Sequence, residues 1–178
     1  MKKKLLILAG GFSREREISL KTAKAVFQEI KNNYITKISE PDGNLVNTLR
    51  KFKPDFVFNA LHGRYGEDGY IQSILESEKI KYTHSGVLSS SIAIDKEISK
   101  KIFIKNKILT PPYLKFSFIK NYNFKNLIKK IDKKLKFPVV LKPINEGSSV
   151  GVYISGKKKL KKNLSKLLEY KEILIEKY

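Results

Sequence analysis

The chain has 178 residues, 41% hydrophobic and 11% aromatic, which is enough to bury a core and too apolar for a disordered segment. It contains no cysteine, which excludes disulfides and thiolate metal sites and fits a reducing compartment. Its net charge of +20 points toward nucleic acid, yet only four of the 37 basic residues are arginine (Arg14, Arg16, Arg50 and Arg64), and lysine is a hydrated point charge poorly suited to reading base edges.

The lysines are dispersed and travel with many Ile and Asn residues. Residues 119–178 carry 16 lysines against five acidic groups, largely on what read as two solvated helices. Nonspecific phosphate attraction at low salt is expected; specific nucleic-acid recognition is not, because no reading motif accompanies the charge.

Strand and helix patterns alternate from the start. The opening, Met1-Lys-Lys-Lys-Leu-Leu-Ile-Leu-Ala-Gly10, imitates a signal peptide, but its apolar part is only Leu5 to Ala9, and Arg14 and Glu15 follow almost at once. It therefore reads as a buried strand, Lys4 to Ala9, turning at Gly10-Gly11-Phe12-Ser13. A helix is predicted from about Glu15 to Ile30, with Ile18, Thr22, Ala25, Val26 and Ile30 on one face. A strand, Tyr34 to Ser39, a turn, Pro41-Asp42-Gly43, and a short helix, Leu45 to Phe52, come next. Asp55 to Asn59 is a third strand, leading through a loop at 60–69 into a helix ending near Ser77. Such alternation predicts a parallel sheet covered on both faces, with ligands at the carboxyl ends of its strands.

Two helical segments, Ser89 to Ile94 and Asp95 to Asn106, follow, with Asp95 a suitable N-cap. Thr110-Pro-Pro-Tyr113 breaks the pattern and marks the expected domain boundary, giving domains 1–109 and 110–178. Beyond it come a strand (Tyr113 to Phe118), a lysine-rich helix ending near Leu135, a strand pair beginning at Val139 to Leu141, a basic helix (Lys157 to Leu168) and a last strand from Glu172. No run is long enough to span a bilayer, and a cytoplasmic location is expected.

Four places carry candidate chemistry. Lys142 follows the apolar strand Val139 to Leu141, and Pro143 keeps the backbone extended, so the ammonium sits at a strand end. The loop Gly147-Ser148-Ser149 can bring backbone N–H groups close to an anion, so the pair suits a nucleotide triphosphate; the plain alternative is a hairpin with a polar tip and a solvated lysine. Glu15 stands where the first loop becomes helix and could accept a ligand ammonium, or simply complement the helix dipole. His62 lies just past a strand end in Asn59-Ala-Leu-His-Gly-Arg-Tyr-Gly-Glu-Asp-Gly69 and could act as acid, base or hydrogen-bond donor. Glu67 or Asp68 should cap the next helix, and His84 reads as surface or packing. Lys96 falls in the first turn of a helix, where free N–H groups favour anions. No nucleophile triad, zinc pattern or carboxylate cluster with metal spacing is evident, although a triphosphate site normally needs Mg²⁺.

Together these segments resemble the D-alanine–D-alanine ligases of the ATP-grasp superfamily. The resemblance runs from Leu8 to Tyr178 and rests on five motifs in order: Gly10-Gly-x-Ser-x-Glu15-x-Glu-x-Ser19, Leu61-His-Gly-x-x-Gly-Glu-Asp-Gly69, Gly86-Val to Asp95-Lys96, Leu141-Lys-Pro-x-x-Glu-Gly-Ser-Ser-Val-Gly151, and Leu174-Ile-Glu-Lys177. It implies an amino-terminal α/β domain followed by the first subdomain of an ATP-grasp fold. It implies that ATP phosphorylates one D-alanine carboxylate and that the amine of a second D-alanine attacks the acyl phosphate, giving a dipeptide for peptidoglycan. Glu15 would bind the first ammonium, with Ser148 hydrogen-bonded to it, and His62 would lie near the reacting carboxyl group. Lys96 and Lys142 would contact phosphates under the Gly147–Ser149 loop, and Glu176 and Lys177 would meet the adenine edge.

The resemblance also implies a homodimer and a family sequence that continues past the position of Tyr178. The lid loop, a transition-state arginine, the Mg²⁺ ligands and the choice between D-alanine, D-lactate and D-serine as second substrate are expected there. The chain is thus expected to be the amino-terminal half of a ligase, inactive alone. The rival readings are another ATP-grasp carboxylate–amine ligase and a non-catalytic fragment that binds nucleotide.

Overall fold

A computed structural model describes residues 2–118 and 122–178. The chain divides into two compact units, the first ending at Ala93 and the second beginning at Ile94. The Pro-rich boundary expected at 109/110 lies one helix further along, because the helix that follows Asp95 belongs to the second unit.

In the first unit β1 (Lys4–Leu8), β2 (Ile35–Ser39), β3 (Phe56–Asn59) and β4 (Lys81–Tyr82) form a four-stranded sheet in the order β2-β1-β3-β4, every pair parallel. The helices are α1 (Arg16–Ile30), α2 (Leu45–Phe52), α3 (Tyr70–Ser77) and α4 (Val87–Ile94). Strand periodicity divides β1 between two cores. Leu6 and Leu8 pack with Leu45, Leu49, Ile71 and Leu75 of α2 and α3. Leu5, Ile7 and Ala9 pack with Ala23 of α1 on the other face. The sheet is therefore covered on both sides, as the alternation predicts. The two-residue strand β4 carries too little pattern to be read from sequence.

The face of α1 differs from the expectation. Ile18 and Ala25 are exposed, and the buried positions are Ser19 and Ala23, flanked by half-buried Leu20, Val26, Phe27 and Ile30. Small residues let the helix approach the sheet closely, so apolarity alone misassigns the face.

The second unit contains α5 (Lys96–Lys105), β5 (Tyr113–Ser117), α6 (Phe124–Lys134), β6 (Val139–Pro143), β7 (Tyr153–Ser155), α7 (Leu160–Ser165) and β8 (Glu172–Lys177). Its four strands form an antiparallel sheet in the order β5-β8-β6-β7. Asp95 caps α5, accepting hydrogen bonds from the N–H groups of Glu97 and Ile98 at 2.9 Å each. The expected basic helix 157–168 is instead a 3₁₀ turn, the short α7 and a second 3₁₀ turn, anchored by buried Leu160, Leu164 and Leu167.

The two faces of this sheet differ in kind. Val139, Leu141, Ile173 and Ile175 join Leu127, Ile131, Leu135 and the α7 leucines in one apolar core. The alternate register pairs Lys142 with Leu174, and Glu176 with both Tyr113 and Val140, which places the charged groups on the opposite face.

Candidate functional site

In the first unit, the parallel pairing of Leu8 with Asn59 brings the loops after β1 and β3 to one edge of the sheet. Side chains stitch them together. Ser13 Oγ donates to the His62 carbonyl at 2.7 Å and accepts from the Glu15 N–H at 3.1 Å. Ser19 Oγ accepts from the Gly10 N–H at 2.8 Å. Asn59 and Gln72 both donate to the Gly66 carbonyl, at 2.8 and 2.9 Å, and hold the second loop from within.

Glu15 precedes α1 and is only 4% exposed; the buried side-chain polar atom left without a partner among the described residues is Gln72 Oε1, not a Glu15 oxygen. A Cβ on residue 63 would stand 2.5 Å from Glu15 Oε2, and Gly63 has φ +68°, so glycine is required there for both space and backbone. His62 Nε2 lies 3.3 Å from Thr22 Oγ1, and its Nδ1 lies 3.6 Å from Glu67 Oε1. The structure thus brings Glu15 and His62 to the same pair of loops.

Glu67 and Asp68 serve the loop rather than a formal cap: Glu67 accepts from the Gly63 N–H, Asp68 from those of Tyr65 and Tyr70, and Gly69 occupies the cap position of α3. His84 is exposed, as expected. An open cleft of about 620 Å³ beside these loops is lined by Phe12, Tyr65, Tyr70 and Leu45 and by no basic side chain, so it offers nothing to hold a phosphate.

In the second unit, Lys142 at the end of β6 pairs with Glu176 Oε2 of β8, and buried Lys100 of α5 pairs with Glu176 Oε1. Burial pushes the Glu176 carboxyl upward, but the hydrogen bonds and charges of Lys100 and Lys142 outweigh it and hold it below its ordinary range. Lys96 Nζ donates to the carbonyls of Ile144 and Glu146, tying the start of α5 to the segment that leads into the Gly147 loop. Ser148 and Ser149 are exposed, with φ of +42° and +63°. Lys177 is exposed, its N–H donating to the Pro112 carbonyl at 2.9 Å.

Lys96, Lys142, Gly147, Ser148, Ser149, Glu176 and Lys177 all belong to the second unit, where the structure brings Lys142 and Glu176 into contact. Lys100 escaped the sequence reading. The only signal was its position four residues after Lys96, on the same helical face. No group of three or more His, Asp or Glu able to hold a metal exists among the described residues. No described helix is long and apolar enough to cross a membrane.

Residues 36–85 match the family model for the D-ala D-ala ligase N-terminus, and residues 102–178 match that for the D-ala D-ala ligase C-terminus. The chain is similar to the D-alanine–D-alanine ligase of Pelagibacter ubique, with 65% identity across 100% of this chain and 58% of that protein. It is 45% identical to that of Carboxydothermus hydrogenoformans, over 98% of this chain and 57% of the relative. The crystal structure of the Bacillus anthracis D-alanine–D-alanine ligase superposes with a TM-score of 0.84 at 38% identity, covering 99% of this chain and 57% of that one. The same enzyme complexed with ATP gives a TM-score of 0.81 at 35% identity. The chain thus spans a little over half the length of these relatives. It belongs to the D-alanine–D-alanine ligase family.

Proposed function

We propose that the chain supplies the first D-alanine site and one side of the ATP site of a D-alanine–D-alanine ligase acting in peptidoglycan synthesis, in the cytoplasm and as a homodimer. The observation that carries the substrate side is Glu15: its residue is only 4% exposed, and its carboxylate is set against Gly63 in the loop that carries His62, where an incoming ammonium group could pair with it. His62 lies beside the substrate carboxyl group. Lys96 and Lys142 meet the ATP phosphates under the Gly147–Ser149 loop, and Glu176 and Lys177 meet the adenine edge.

A carboxylate oxygen of the first D-alanine attacks the γ-phosphorus, the bond to the ADP oxygen breaks, and an acyl phosphate forms. The amine of the second D-alanine then attacks the acyl carbon, phosphate departs, and the amine loses a proton. Negative charge spreads over the transferring phosphoryl group, so fixed ammonium groups and oriented N–H donors lower the barrier. Mg²⁺ accompanies ATP in this reading, but the described residues do not fit a Mg²⁺ site, and the steps assigned here rest on the chain's own side chains.

Calorimetric titration tests the proposal. D-alanine should bind the 178-residue chain and fail to bind Glu15→Gln, whereas ATP should bind both. Equal D-alanine affinity in the two proteins would overturn the assignment of Glu15. D-alanine-dependent phosphate release by the chain alone is not expected.

A further inference from the structure

We propose that Lys100 is a positioning residue of the phosphate side: it holds one oxygen of Glu176 so that the other oxygen holds Lys142 at its strand end. The inference rests on the nucleotide reading of Lys142 given above.

The three amines are used differently. An ammonium has three donors. Those of Lys100 are all spent, on Thr110 Oγ1 at 2.6 Å, on the Pro111 carbonyl at 2.9 Å and on Glu176 Oε1. Its side chain is 7% exposed and its Nζ lies 5.3 Å from the centre of the Tyr113 ring. Lys100 therefore has nothing left to offer a ligand. Lys142 is 22% exposed and has Glu176 Oε2 as its one hydrogen-bond partner among the described residues, so two of its donors remain available. Lys96 donates to the carbonyls of Ile144 and Glu146.

Burying a lysine is costly, and the cost is offset only where its charge and donors are met, as they are here by Glu176, Thr110 and Pro111. What the lysine adds is geometry and charge. With Lys100 in place, one carboxylate faces two ammonium groups, Glu176 cannot turn away from Lys142, and the trio keeps a surplus positive charge at its more exposed end. Without it, Glu176 and Lys142 form an isolated neutral pair free to rotate. The low-lying Glu176 carboxyl is consistent with an anion fixed from both sides.

The test uses the 178-residue chain with ¹³C-labelled lysine side chains, comparing Lys100→Met, Thr110→Val and, as a control, exposed Lys101→Met. The Lys142 Cε resonance should move in Lys100→Met, move less in Thr110→Val, and stay in place in Lys101→Met. The ratio of ATP to adenosine affinity should fall about tenfold in Lys100→Met, the weight of one charge-assisted hydrogen bond on the phosphate side. A purely structural lysine would lower the melting temperature and leave the ratio of ATP to adenosine affinity unchanged. An unmoved Lys142 resonance in folded Lys100→Met, or in Thr110→Val if Lys100→Met does not fold, overturns the proposal, as does an unchanged affinity ratio. Failure of the unsubstituted chain to bind ATP would instead sink the nucleotide reading, and the Lys142 resonance would still decide the role of Lys100.

Discussion

In the first unit the carboxylate of Glu15 stands beside Gly63, whereas in the second the carboxylate of Glu176 is gripped by two lysines. Both sit at sheet edges or faces that sequence periodicity sets aside from the apolar cores. On the reading proposed above, Glu15 takes its partner from an incoming ammonium group. A charge with two partners is already satisfied, so Glu176 acts as a strut and passes the surplus charge outward through Lys142. On that reading Glu15 offers a negative charge in one unit and Lys142 a positive charge in the other.

The largest effect expected concerns the scaffold. Ile175, fully buried in β8 beside Glu176, should cost about 2–5 kcal/mol when changed to alanine, read from the urea midpoint. A smaller cost would mean that the strut stands on a loosely packed strand. Gly63→Ala should cost about 1–3 kcal/mol, because an L side chain at φ +68° is strained and its Cβ meets Glu15 Oε2 at 2.5 Å. D-alanine affinity should fall with it, and unchanged affinity would separate Glu15 from the substrate.

The sharpest contrast comes from paired neutral substitutions. Glu176→Gln removes the counter-charge of two buried or half-buried lysines and should destabilise by about 1–3 kcal/mol. Glu15→Gln removes the charge assigned to the substrate ammonium, so D-alanine binding should be lost at a smaller cost in thermal stability. Destabilisation of equal size in both would erase the distinction between the units.

The smallest effect is in pH. Glu176 titrates below its ordinary value of 4.5 in the folded chain, so its contribution is fully present above that pH and is lost as pH falls through the folded value. The stability gap between the chain and Glu176→Gln should therefore narrow on acidification below pH 4.5. A gap that widens would reverse the assigned sign.

Much of the fold was legible because local rules agree with the global one. The buried run from Leu5 to Ala9, the Asp95 cap and the strand ending at Lys142 were all readable from periodicity and turn chemistry. The α1 face was not, since Ser19 and Ala23 are buried for their size and Ile18 is left exposed. The basic stretch 157–168 looked like one helix because lysines and leucines alternate at helical spacing, but Leu160, Leu164 and Leu167 anchor only a short α-helix between 3₁₀ turns. Lys100 was hidden for a different reason: among 33 lysines, 37 basic residues less four arginines, nothing local marks the one that is buried.

The sequence by itself determined the parallel first sheet, the loops that carry Glu15 and His62, the strand that delivers Lys142 and the family to which these motifs belong, because each is written in short-range pattern or in motif order. Only the tertiary structure decided which charges are satisfied. Glu176 comes within reach of Lys142 because β8 inserts between β5 and β6, and of Lys100 because α5 packs in the same unit. Pairing across 34 and 76 residues of chain is a property of sheet order, which no local spacing encodes.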